Sequence, residues 1–151
     1  MKEDTKALLS ATKQSLQKAI AQAIVGKRIG DIGFAIQQHV EALGYSVIRE
    51  LLGHGVGRDL HEAPEVHNFG KRGQGVKLLE GLVLAIEPMI ALGKRDIVCL
   101  EDGWTIITAD RKPAAHFEHT ILVRKNEAEV LTTFKFIEEA IKNNPELTYV
   151  E

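Results

Sequence analysis

Four side chains spread along the chain have the chemistry of a hydrolytic metal site. His54 and His61 stand seven apart in LGHGVGRDLHEAPEVHNFG, residues 52–70, while Glu87 is the one charge in LVLAIEPMI, residues 82–90, and Glu118 the one carboxylate in HFEHTILV, residues 116–123. Glycines at 53, 55 and 57 let the backbone bend or come close to another group, so the first imidazole can be aimed. Pro64 fixes its own φ and pushes Ala63 into extended geometry, which stiffens the chain just after the second. The composition of the whole stretch reads as a loop rather than a helix or a buried strand. For a polar loop of this kind, solvated histidines are the plain alternative.

The glutamates raise a different question, because each interrupts a run apolar enough to be a central strand. An unpaired ionised group in such a place costs several kcal/mol, so it needs a cation, a hydrogen-bond network or an edge position. A remote arginine would serve as well as a metal. Strand alternation puts Glu87 on the face of Ala85 and Met89, and Glu118 on the face of His116 and Thr120, so pairing of the two strands can bring both acids to one side. One imidazole with two carboxylates suits Mn, Fe, Co or Zn. Bridging carboxylates also admit two such ions about 3.5–4 Å apart, with a water activated between them.

The elements that must hold these groups are legible in outline. Leu8, Leu9, Leu16, Ala19, Ile20, Ala23 and Ile24 recur at helical spacing, predicting a helix from Asp4 to about Ile24 that ends at Gly26. Asp31 reads as the N-cap of a second helix with Ile32, Ile36, Val40 and Leu43 on its inner face, closed by Gly44. Residues 46–52 read as a strand feeding the glycine-histidine loop. Residues 82–90 read as another, and Asp102–Gly103 as the two-residue turn of a hairpin over 97–108. A strand over 114–125 turns at Asn126–Glu127 into a further one, and a helix from Phe134 to Asn143 stops before Pro145. Two helices followed by four or five antiparallel strands make an α+β fold, with a short C-terminal helix.

Composition bounds the rest. A chain of 151 residues fits a single domain. With 19 basic against 21 acidic residues there is no field to hold nucleic acid. The single cysteine, Cys99, reads as a packed strand thiol and fits a reducing compartment. Neither a signal peptide nor a run of 18 apolar residues is present, so the expected location is cytoplasmic, with no membrane partner.

The blocks GHGVGRDLHEAPEVHNFG, AIEPMI, EDGWTIITAD and HFEHTILV, in this order and at these distances, closely resemble the C-terminal half of type I methionine aminopeptidases. The resemblance covers most of the chain from Gly44 to Thr132. It implies a pita-bread fold, two similar α+β halves about a pseudo-twofold axis with a dinuclear site between them. It further implies that His54, Glu87 and Glu118 are ligands of two divalent ions (Co, Mn, Fe or Zn), and that Glu87 also handles the proton of the attacking water. His61 would donate to the substrate carbonyl or oxyanion, Trp104 would line the methionine pocket, and the substrate would be the N-terminal methionine of nascent polypeptides.

Two departures accompany the match. The family's two aspartate ligands and a further substrate-contacting histidine come from the N-terminal half of the fold, so three of five metal ligands are expected here and the isolated chain should turn over weakly or not at all. The block usually written AQFEHT is AHFEHT, which puts His116 beside Glu118, adding a ligand or altering the site. Expected partners are therefore the missing half or a second copy of the chain. A non-catalytic pita-bread module that binds peptides or proteins is the alternative function, and the joint retention of His54, His61, Glu87 and Glu118 argues against it. His119, on the opposite face from Glu118, reads as a satisfied structural histidine.

Overall fold

The computed structural model describes residues 2–144. Helices α1 (Glu3–Ile20) and α2 (Ile29–Ala42) pack against each other. The inner stripe of α1 is Leu8, Ala11, Leu16 and Ala19, and that of α2 is Ile29, Ile32, Ile36 and Val40. Both stripes join one apolar core with Val47, Val66, Leu84, Ile86, Ile90, Ala115, Ile121 and Val123 from the strands beneath. Each such side chain withdrawn from water contributes roughly 1.5–3 kcal/mol before entropy is counted. Thr12 and Ser15 are buried within α1 because their hydroxyls donate to the helix's own carbonyls, Leu8 O at 2.8 Å and Thr12 O at 2.7 Å.

The helix boundaries differ from those read off the sequence. The first helix stops at Ile20, because Ile24 is drawn into a bridge with Arg124 and the Val25 N–H donates to the Arg124 carbonyl at 3.1 Å. A sheet edge supplies the partner the next helical turn would have supplied. Asp31 is not the cap of α2 but its third residue, and its carboxylate accepts from the Arg28 N–H at 2.8 Å.

Ten short strands follow, all paired antiparallel: β1 (Ser46–Val47), β2 (Gly53–Gly55), β3 (Glu62–Val66), β4 (Val83–Ile86), β5 (Met89–Ala91), β6 (Ile97–Cys99), β7 (Ile106–Thr108), β8 (Ala114–His116), β9 (His119–Leu122) and β10 (Glu129–Val130). They form a five-stranded sheet in the order β10-β9-β4-β2-β3, a three-stranded sheet in the order β1-β5-β8, and the hairpin β6-β7. Helix α3 (Lys135–Lys142) closes the described chain near its expected place. Pro145 lies outside the described residues.

Four expectations are corrected here. The predicted strand over 46–52 shrinks to Ser46–Val47, and the predicted loop over 52–70 contains two strands. Gly53 and Gly55 serve close packing rather than a turn: a Cβ on either would stand 2.2 Å from a neighbouring strand's carbonyl oxygen, that of Ala85 or of Ala63. The hairpin turn is longer than two residues. Leu100 N–H still pairs with Thr105 O at 2.8 Å, and Asp102 Oδ1 accepts from the N–H groups of Trp104 at 3.0 Å and Thr105 at 2.8 Å. Cys99 is exposed rather than packed, since this hairpin pairs only with itself.

Gly33, inside α2, faces the segment after β3, and a Cβ there would lie 2.3 Å from the Phe69 carbonyl oxygen. Gly33→Ala, which in an open helix would gain up to about 1 kcal/mol, is therefore expected to lower stability by about 1–3 kcal/mol. The urea midpoint of the variant against the parent chain measures it.

Candidate metal centre

Both glutamates sit at places where a strand leaves one sheet for another. β4 belongs to the five-stranded sheet and β5 to the three-stranded one, with Glu87 and Pro88 between them. β9 and β8 make the same exchange with Phe117 and Glu118 between them. The apolar runs predicted as single strands are thus each broken once, at the acid. Proline accounts for the first break, since Pro88 has no N–H to offer the ladder.

The register carries through. Ile86 opposes His119 before the break and Met89 opposes His116 after it, which sets Glu87 directly across from Glu118. Like charges in that relation repel. Alternation also carries through, so Leu84, Ile86 and Ile90 point into the helix-covered core while Glu87 takes the other face.

Two imidazoles close on the Glu87 carboxylate from its two sides. His54 enters from β2, where it opposes Ala85 and where that small side chain leaves room, and its Nε2 is 3.6 Å from Oε1. His116 enters from β8, with Nε2 3.3 Å from Oε2. The Glu87 and His54 side chains are each 13% exposed and His116 is 48%, so the group is buried on the β2 side and open on the β8 side. Among the described residues, no lysine or arginine pairs with Glu87.

The His54 Nδ1 lies 2.8 Å from the Gly55 carbonyl oxygen, which can only accept, so Nδ1 carries a proton and Nε2 is the nitrogen turned toward Glu87. Hydrogen bonding to Glu87 holds the His116 imidazole above its ordinary pKa, helped by the charges of Glu87 and Glu118 and opposed by partial burial. Glu87, His116 and Glu118 each offer one ligand atom, and the three atoms lie within 4.8 Å of one another. Hard carboxylate oxygens and an imidazole, gathered where no lysine or arginine among the described residues pairs with Glu87, fit a divalent cation of the Mn, Fe, Co or Zn type.

The expected site residues are therefore largely brought together. His61 is exposed and its ring lies tilted beside the first imidazole, ring centroids 4.2 Å apart, on the β2 side of the group. Trp104 is 88% exposed on the hairpin and this chain does not enclose it. His119 faces away, as expected of a structural histidine, with Nδ1 2.8 Å from Thr132 Oγ1, its ring against Phe134 and its pKa lowered by burial. Asn68 escaped notice in the sequence, where NFG looks like an ordinary turn. It is fully buried, and its amide donates to the Glu87 backbone carbonyl at 3.0 Å, pinning the broken strand where the ladder cannot.

A sheet break that presents opposed glutamates between histidines, under a helical layer, has the donor set of a divalent metal centre. The chain belongs to metallopeptidase family M24, whose model matches residues 1–125. It is 49% identical over 133 residues to a methionine aminopeptidase of Clostridium perfringens, covering 88% of this chain and 53% of that protein. It is also 46% identical to methionine aminopeptidase 1 of Bacillus subtilis, covering 86% and 52%. The crystal structure of methionine aminopeptidase from Thermotoga maritima superimposes with a TM-score of 0.86 at 49% identity, over 88% of this chain and 53% of that one. The chain thus spans about half the length of the curated relatives it matches. The α+β pita-bread fold and the likeness to bacterial methionine aminopeptidases hold as expected, and no described helix is long and apolar enough to cross a membrane.

Replacing Asn68 by Ala strips the Glu87 carbonyl of its buried donor and is expected to cost about 1–3 kcal/mol. Urea unfolding of the metal-free protein reads that loss directly.

Proposed function

We propose that this chain supplies one side of a methionine aminopeptidase site, hydrolysing the bond after an N-terminal methionine, and that His54, Glu87 and Glu118 are its share of the metal ligands. The observation that carries the reading is the placement of Glu87 opposite Glu118 with His54 at its side, which needs a cation and faces the open side of the fold. Two divalent ions, with two aspartates contributed from outside this chain, would supply Lewis-acid polarisation and a more acidic water when bound. Glu87 would take the proton of the attacking water and return it to the leaving amine. His61 donates to the substrate carbonyl as its oxygen gains charge. Trp104 would wall the methionine side chain only when another surface faces it, given its exposure.

Two occupants would complete the site: a complementary half-fold bearing the aspartates, or a second copy of this chain. Leu60, Val98, Leu100, Trp104 and Ile106 are exposed apolar side chains for either to cover. A non-catalytic binding module remains the second reading. It has no use for two facing acids between imidazoles, and the cytoplasm, with its nascent chains, suits the first.

Methionine release from a Met-Ala peptide with added Co(II) or Mn(II) is the test. The isolated chain is expected to be at least about 100-fold slower than a full-length relative, and Glu87→Gln to remove at least about 100-fold of what remains, the worth of a general base. Turnover by the isolated monomer equal to a full-length enzyme overturns the half-site reading; partner binding untouched by Glu87→Gln with Glu118→Gln favours the module. Light scattering should show a species heavier than the 16.7 kDa monomer, and a monodisperse monomer contradicts the second-copy proposal.

A further inference from the structure

We propose that His116 is itself a metal ligand, so that Glu87, His116 and Glu118 form a mononuclear cation site contained within this chain. The inference rests on the reading of the two glutamates as ligands and adds a residue that the resemblance does not assign.

Position comes first. His116 is the last residue of β8, opposite Met89 and therefore diagonal to Glu87, and it reaches the Oε2 oxygen that His54 does not use. The ligand atoms of Glu87, His116 and Glu118 lie within 4.8 Å of one another, close to the spread around one ion with bonds of about 2.0–2.2 Å. His54 meets this group through Glu87 Oε1 and borders it.

The competing explanation is a structural ion pair between an imidazolium and Glu87. At 3.3 Å the contact is longer than the 2.7–2.9 Å typical of a charge-assisted hydrogen bond, and the ring is 48% exposed, so the pair is not closed. One imidazolium would also cancel one charge of two. A divalent cation cancels both and accepts three donors of the right hardness from two strands already in register. His116 thus lets the chain hold one ion of the Mn, Fe, Co or Zn class without aspartates from elsewhere, more tightly than a glutamine here would.

Calorimetric titration of the metal-free 151-residue chain with Co(II), and separately with Zn(II), tests the proposal. One ion per chain is expected, with affinity lost in Glu87→Gln and in Glu118→Gln, weakened in His116→Gln by at least the roughly tenfold that loss of even an outer partner costs, and unchanged in His39→Gln in α2. Proton NMR of the Co(II) form gives a readout that a structural role would not move: one hyperfine-shifted imidazole N–H must persist in His54→Gln, and that same resonance must be the one lost in His116→Gln. Should His116→Gln fail to fold, the signal in His54→Gln decides alone, and its absence overturns the assignment. Unaltered affinity in His116→Gln, with both glutamate variants silent, overturns the role of His116 while leaving the glutamates as ligands. Full binding by the glutamate variants instead overturns the reading on which it rests.

Discussion

Two negative charges held face to face across paired strands are the constraint on which this fold turns. The register on either side of the sheet break fixes Glu87 opposite Glu118, and nothing basic among the described residues neutralises Glu87 except imidazoles. Cross-strand repulsion of this sort is ordinarily selected against. Keeping it is tolerable only if a cation repays the cost, so the site is best understood as a scaffold organised around a charge it does not itself carry.

The surrounding structure holds the two acids in that relation. Pro88 breaks the first strand, Asn68 anchors the backbone at the break, and Gly53 and Gly55 let β2 press between β3 and β4 so that His54 arrives at the carboxylate. Behind them α2 packs its own glycines against the 67–75 segment, and α1 covers the strands that run into the break. Close packing there contrasts with the exposure of His116 and of much of the 97–108 hairpin. The group is thus enclosed on the β2 side and open on the β8 side.

The two histidines flanking Glu87 differ in kind. His54 is buried, with its tautomer set by the Gly55 carbonyl, and it enters through a strand that tolerates no side chain on either neighbour. His116 is half exposed and belongs to the second sheet. The same carboxylate therefore meets one enclosed partner and one open to solvent.

Much of this was legible in the residues themselves. The helical stripes, the α+β order and the short C-terminal helix follow from periodicity, and the anomaly of Glu87 and Glu118 from the cost of placing a charge in an apolar run, both of which are local properties. Tertiary structure alone decided the rest. GHG is a strand because neighbouring carbonyls come within reach of where its Cβ atoms would be, and each glutamate ends a strand because two sheets meet there. The importance of Asn68 and the approach of His116 likewise depend on which strands lie side by side. A sequence pattern records what each residue prefers, whereas close approach and register are set by partners dozens of residues away, and no local preference encodes them.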